Sequence, residues 1–345
     1  MQIIMGVTPV LRVALSVFSY GIAGGSYARL RLSRARKAWR SCADFALIRV
    51  DARDTHIRDT HIYTENTVKI RFGYELIFSS PQPLPMILML RAQPNEKQEL
   101  LVPDRMMLEP DVPTSDYQDV FGNTCTRVES PGGRMRITAS GILRDCGRPE
   151  PEAWDAQEHP VSLLPPDALM YLLGSRYCET EALMSDAWRL FGHLAPGWAR
   201  VQAICDFAHG HVAFGYHYAR PSKTAWEAYT ERQGVCRDFA HLAITLCRCL
   251  NIPARYCTGY LGDIGVPVAD LPMDFAGWME AYIGGAWHTF DPRNNARRIG
   301  RILVARGRDA ADVAISTTFG PNYLESFRVW TDEISEGAEL LRGAA

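Results

Sequence analysis

An α+β fold is predicted by three features of this sequence. Residues 68–148 hold short β-rich runs broken by Pro, Gly and Asn turns. From about residue 167 the apolar side chains shift to helical spacing. After one long apolar helix the chain returns to three strand-like segments, which stacks a helix on a sheet.

The β-region comes first. "IRFGYELIF" (70–78), "MILMLRA" (86–92) and "RMRITASGIL" (134–143) read as strands. "FGNTCTRVESPGGRMRI" (121–137) reads as a hairpin turning at Pro131-Gly132-Gly133. A Pro/Glu-rich linker, residues 149–166, follows this domain. In the core, residues 167–332, "DALMYLLGSRYC" (167–178) and "WARVQAICDFAHGHV" (198–212) carry helical spacing. "VCRDFAHLAITLCRCLN" (235–251) is the strongest helix, stopped by Asn251 and Pro253. Strands are expected at "ARYCTGYLG" (254–262), "GWMEAYIG" (277–284) and "AWHTFDP" (286–292). The chain is expected to end in a helix at "TDEISEGAELLRG" (331–343), with residues 333–345 as a tail.

Residues 1–67 differ from the rest. "VALSVFSYGIAGGSYA" (13–28) is apolar but short for a membrane span. A basic run, "RLRLSRARKAWR" (29–40), follows it, and then "RDTHI" occurs twice in tandem. An export signal, a basic flexible arm and an over-long gene model all fit this segment. The last is preferred, because strand-like alternation begins at Val68.

Composition narrows the function classes. The 345 residues are 47% hydrophobic and 22% charged, as in ordinary globular proteins. A net charge of -2 points to neither nucleic acid nor an acidic partner. The nine cysteines show no zinc-ligand spacing, which suits reduced thiols in the cytoplasm. No calcium loop, nucleotide motif or flavin motif is present, so no cofactor and no metal are expected. The oligomeric state is not legible.

One cysteine stands apart. Cys236 follows Gly234-Val235 at the head of the long helix. Unpaired N–H groups at a helix N-terminus lower a thiol pKa, and Arg237 adds positive charge. Gly234 permits a tight turn before the helix. Cys247 and Cys249 lie deeper in the same helix and read as buried apolar residues. A cysteine nucleophile also needs a proton carrier and a group that orients it.

"GVCRDFAHLAITLCRCLNIPARYCTGYLGD" followed by "FAGWMEAYIGGAWHTFDPRNN" resembles the bacterial transglutaminase-like superfamily. The resemblance covers about residues 72–332. It implies a papain-like core with a cysteine at a helix N-terminus packed on an antiparallel sheet, after a small all-β domain. Members of this kind are proteases, amidases or transamidases that work through an acyl-thioester, with a peptide or protein substrate. The resemblance assigns the nucleophile to Cys236 and the acid of the "FDP" strand to Asp291. It loosely places Trp226 near the oxyanion region, where Gly234, Val235 and Trp278 also line the cleft. The family's His-Ala-Trp reads Ala276-Gly277-Trp278 here, so the usual His position holds Ala276.

The strand register can be worked out. With Gly284-Gly285 as a two-residue turn, residues whose numbers sum to 569 face each other. Ala276 then lies diagonal to Asp291 on one face, with Glu280 and Thr289. Two other imidazoles are candidate bases or supporting groups. His288 is three residues from Asp291 and points to the opposite face. His241 lies about 140° around the helix from Cys236 and reads as structural. Glu280 is a weaker candidate acid or base. Asp238 reads as a helix-end stabiliser, and His209, His211 and His217 as surface residues or as residues supporting the site. Two functions stay open. One is a cysteine hydrolase or transamidase acting through Cys236. The other is an inactive or weakened member that binds a peptide or protein partner in the same cleft.

Overall fold

The structure, a computed structural model, describes residues 67–268 and 272–334. The apolar, basic and repeated segments before Thr67 lie outside the described residues. The described residues belong to one compact unit, His61–Ala345.

Seven strands come first: β1 (Val68–Ser80), β2 (Leu84–Leu88), β3 (Gln98–Val102), β4 (Met107–Glu109), β5 (Thr114–Gln118), β6 (Thr124–Ser130) and β7 (Gly133–Asp145). Helices α1 (Pro166–Leu169), α2 (Thr180–Phe191) and α3 (Trp198–His211) follow, then β8 (Ala213–Phe214), α4 (Ala225–Glu231), β9 (Gln233–Gly234) and α5 (Cys236–Cys249). The chain continues through β10 (Ala254–Tyr260), β11 (Ala276–Ile283), β12 (Ala286–Phe290), β13 (Ile302–Gly307), β14 (Ser316–Thr318) and β15 (Tyr323–Ile334).

Two antiparallel sheets form the β-region. One runs β15-β1-β7-β3, with β4 also on β7; the other runs β14-β2-β6-β5. Inward residues of both, such as Phe72, Leu76, Met86, Leu88 and Ile137, share one buried cluster. The expected hairpin at residues 121–137 does not form. Strands β6 and β7 lie in different sheets, and the turn at Gly132 and Gly133, both at positive φ, carries the chain across. The reason is long-range pairing: β7 matches β1 from Val68↔Asp145 to Ser80↔Gly133 in one unbroken register.

The start of the expected C-terminal helix is corrected, and residues 335–343 of it lie outside the described residues. Thr331–Ile334 continue β15, which pairs with β1 along Lys69↔Ile334 to Ser79↔Tyr323. The β-region is therefore completed by strands from the far end of the chain, beyond the residue-148 boundary expected from sequence. Residues 149–166 are held against the core rather than loose. The Glu150 carboxylate accepts from the Arg298 N–H at 2.7 Å and from Arg301 Nε at 2.7 Å. Glu158 accepts from the Gly197 N–H and from Arg200.

The core sheet runs β12-β11-β10-β13 and supports α5. From Asp238 to Cys249 every residue of α5 is buried, the polar Asp238, His241, Thr245 and Arg248 through hydrogen bonds of their own. Gly284 and Gly285 take φ of 61° and 82°, the left-handed pair of a two-residue hairpin turn. The register follows: Ile283↔Ala286, Glu280↔Thr289 and Met279↔Phe290 all sum to 569.

Candidate active site

Cys236 opens α5, with Val235 as the extended residue before it. The Val235 N–H donates to Asp238 Oδ2 at 2.9 Å, and Arg237 donates to Asp238 Oδ1. Asp238 thus closes the first turn of the helix. Gly234 serves this contact through its lack of a side chain, because a Cβ there would meet the Asp238 Cβ at 2.7 Å. Its φ is not in the left-handed region, so space is what requires the glycine.

The Cys236 side chain is partly exposed and lines a cavity of about 100 Å³. Phe214, Tyr216, Asp274, Ala276, Gly277 and Asn294 are among the other walls. The thiol pKa is pushed up to about 11. Burial is the main cause, and the charges of Asp274 and Asp291 add to it. Hydrogen bonding from the peptide groups of Gly277 and Arg237 works the other way and loses. This differs from the lowered value expected at a helix N-terminus. The desolvation of a thiolate outweighs a few oriented N–H groups.

Gly277 has a steric role. A Cβ there would fall 2.3 Å from the Tyr256 hydroxyl. Tyr256 on β10 is 5% exposed, and burial followed by the nearby Cys236 raises its pKa well above the phenol range. Gly277 therefore leaves room for the phenol of Tyr256.

Asp291 sits at the end of β12, where its carboxylate is fully engaged. Oδ2 accepts from Arg301 Nη2 at 2.9 Å and from Asn294 Nδ2 at 2.8 Å, and Oδ1 accepts from the Asn294 N–H at 2.9 Å. Burial acts to raise its pKa, and Arg301 and Asn294 overcome that and hold it below the ordinary value. Arg301 in turn lies 4.7 Å from the centre of the buried Trp278 ring. Trp278 packs with Cys257 and Leu303, with Ala276 against them, rather than on the cavity.

The other expected residues separate from the thiol. His241 is fully buried, its Nε2 accepting from the Ala310 N–H at 3.1 Å and its ring stacked on Tyr177. Burial, then Arg237 and Arg248, holds its pKa well below the usual range, so it stays neutral. His288 faces Ala281 across the hairpin and packs edge-on to Trp198. Burial lowers its pKa, and it is not in the cavity wall. Trp226 is 39% exposed on α4, against Tyr229, and does not line the cavity either. Glu280 is clamped by Arg255 at 2.6 Å and by Arg306 at 3.0 Å.

Sequence reasoning missed Asp274, Tyr216, Asn294 and Tyr256. Asp274 had a readable signal, since it lies two residues before Ala276 and extended chain alternates with period two. Asn294 and Tyr256 are brought in by the turn after β12 and by the register of β10, which no local pattern announces.

Residues 190–292 match the transglutaminase-like superfamily. Among solved structures, a candidate cysteine protease from Cytophaga hutchinsonii superimposes with a TM-score of 0.68. It is 29% identical and covers 79% of this chain and 92% of its own. An uncharacterized protein of Mycobacterium leprae is 37% identical over 91 residues, which is 26% of this chain. The chain spans 32% of the length of that relative. An uncharacterized protein of Mycobacterium tuberculosis is 28% identical over 245 residues, 64% of this chain and 76% of its own.

Proposed function

The chain belongs to the transglutaminase-like superfamily, and on that footing we propose that it is a cysteine hydrolase or transamidase of peptide or amide bonds. Cys236 attacks the carbonyl carbon and carries the acyl group as a thioester. The observation that supports this reading most is the setting of Cys236. It stands at the start of a buried helix, in the wall of an open cavity, with the Gly277 and Arg237 peptide groups against its sulfur. Those N–H groups suit the oxyanion that forms when sulfur adds to a carbonyl. Asp291 serves as an anchor, holding Arg301 and fixing the Asn294 side chain in the cavity wall. No described helix is long and apolar enough to cross a membrane. Eight free cysteines among the described residues fit a reducing compartment, which we take as the cytoplasm.

A second reading has its own support. With a pKa of about 11, roughly one thiol in ten thousand is ionised at pH 7. By the sequence resemblance, Ala276 stands where the family's His-Ala-Trp would carry an imidazole. Both features favour a cleft that binds a peptide or protein partner without turning it over. The two readings part on one experiment. Incubation with p-nitrophenyl acetate, read by intact mass and peptide mapping, yields an acyl group on Cys236 if the site is catalytic. No acylation of Cys236, with the fold intact, leaves the binding protein as the better account.

A further inference from the structure

We propose that Asp274 is the proton carrier of the Cys236 site, a role that rests on Cys236 being the nucleophile. The geometry carries it. Two carboxylates line the cavity that holds the thiol, Asp263 and Asp274. Asp263 is bridged to Arg298 at 3.3 Å. Asp274 forms no ion pair with any described residue; its Oδ1 accepts only the Phe275 N–H, at 2.6 Å. The other titratable groups near Cys236 are closed to the task, Tyr256 because burial holds its phenol protonated. His241 spends Nε2 on Ala310, Asp238 is held by Val235 and Arg237, and Asp291 is held by Arg301 and Asn294.

The surroundings suit a group that gains and loses a proton. Burial raises the Asp274 pKa, against the pull of the Phe275 N–H. Asp274 is also felt electrostatically by Cys236 and by Tyr216, whose hydroxyl donates to the Pro272 carbonyl at 3.3 Å. The other charges on the cavity wall are Arg293, lying over the Phe214 ring at 4.2 Å, and Arg298, paired as above. A carboxylate brought nearer neutrality by burial is a better base toward a thiol and a better acid toward a leaving amine.

The steps balance. The Asp274 carboxylate takes the Cys236 S–H proton as the sulfur bonds to the substrate carbonyl carbon, and the C=O pair moves to oxygen. The pair returns, the C–N bond breaks, and the Asp274 carboxylic acid gives its proton to the departing nitrogen. Water then adds to the thioester carbon with Asp274 taking its proton. The C–S bond breaks, and that proton returns to sulfur. A second amine in place of water gives transamidation by the same transfers.

The test is the pH profile of kcat/KM for p-nitrophenyl acetate, with intact mass of the acyl-enzyme, in wild type, Asp274→Asn, Asp274→Glu and Cys236→Ala. The expected result is a loss of roughly 100-fold or more in Asp274→Asn with the acidic limb of the profile gone. Asp274→Glu should recover part of the rate, and Cys236→Ala should be silent. If Cys236→Ala is silent but Asp274→Asn keeps the wild-type rate and profile, Asp274 is not the carrier while Cys236 remains the nucleophile. If Cys236→Ala keeps the wild-type rate, or wild type forms no acyl-enzyme, the underlying reading falls and this one with it.

Discussion

Arg301 Nη2 donates to Asp291 Oδ2 at 2.9 Å, and only 7% and 3% of the two side chains are exposed. Asp291, singled out by the sequence resemblance, is locked to a buried guanidinium. Asp291→Ala should therefore act first on stability, because it leaves Arg301 buried with Glu150 as its remaining partner. The expected cost is about 3–5 kcal/mol in urea unfolding. Arg301→Met in the same chain should restore part of it. A loss under 1 kcal/mol in the single variant would show the pair to be dispensable.

Acid should attack this same network. Burial opposes ionisation of both Asp291 and Glu280, but arginines hold both below their ordinary values, Arg301 with Asn294 for the first and Arg255 with Arg306 for the second. For a depressed carboxyl, the stability it contributes is present above the unfolded pKa and lost as pH falls through the folded one. Unfolding free energy should thus hold down to about pH 4.5, the ordinary Glu value, and fall below it. Glu280→Gln should be less stable at pH 7 and show a shallower decline in acid. An unchanged slope below pH 4.5 would remove Glu280 from the account.

The hairpin that sets this network was legible in the sequence. Gly284-Gly285 fixed the turn type, the turn fixed the register, and α5 was plain from its uninterrupted apolar periodicity. Partners chosen across long sequence distances were not legible. Strand β7 pairs with β1 instead of β6, and Thr331–Ile334 join β1 where local composition suggests a helix. At the site, Cys236 could be placed at the helix start, but its pKa could not be read, because that depends on the walls that bury it. Tyr256 is brought in by the register of β10 against β11, which local periodicity does not encode, whereas Asp274 shares the cavity wall with Ala276, two residues on.

Gly277 and Tyr256 should behave as a matched pair. Gly277→Ala drives a methyl to 2.3 Å from the Tyr256 hydroxyl, where the buried ring has little room to retreat. Overpacking of this kind costs about 1–3 kcal/mol. Tyr256→Phe removes the clashing oxygen and leaves ring carbon at 3.0 Å, so the double variant should regain part of the loss. A double variant no more stable than Gly277→Ala alone would mean that backbone strain, not the hydroxyl, sets the cost.

Ala276→His places an imidazole at the wall of the Cys236 cavity. A positioned base contributes roughly 10²–10⁴-fold. The gain in p-nitrophenyl acetate turnover should stay near the lower end, about 100-fold, because both Asp291 oxygens already have donors. Adding Cys236→Ala must abolish whatever is gained. Activity that survives the second change would come from the imidazole alone and would say nothing of the thiol.

Alkylation of Cys236 by iodoacetamide gives the sharpest sign test of its surroundings. A thiol pKa of about 11 predicts a rate that climbs about tenfold per pH unit from 7 to 10. The negative charge of Asp274 is one of the causes that raise this pKa, after burial itself. Asp274→Asn should therefore lower the pKa and speed alkylation at pH 8, while the same variant slows acyl transfer. Fold stability should rise at pH 7, since burial lifts the Asp274 pKa and so penalises its charged form; that penalty is absent below the unfolded carboxyl pKa and grows as pH rises through the folded one. Faster alkylation, slower turnover and a higher Tm in one variant have opposite signs that simple damage to the site cannot produce. Alkylation slowed together with turnover would mean that Asp274 holds the cleft in shape and moves no proton.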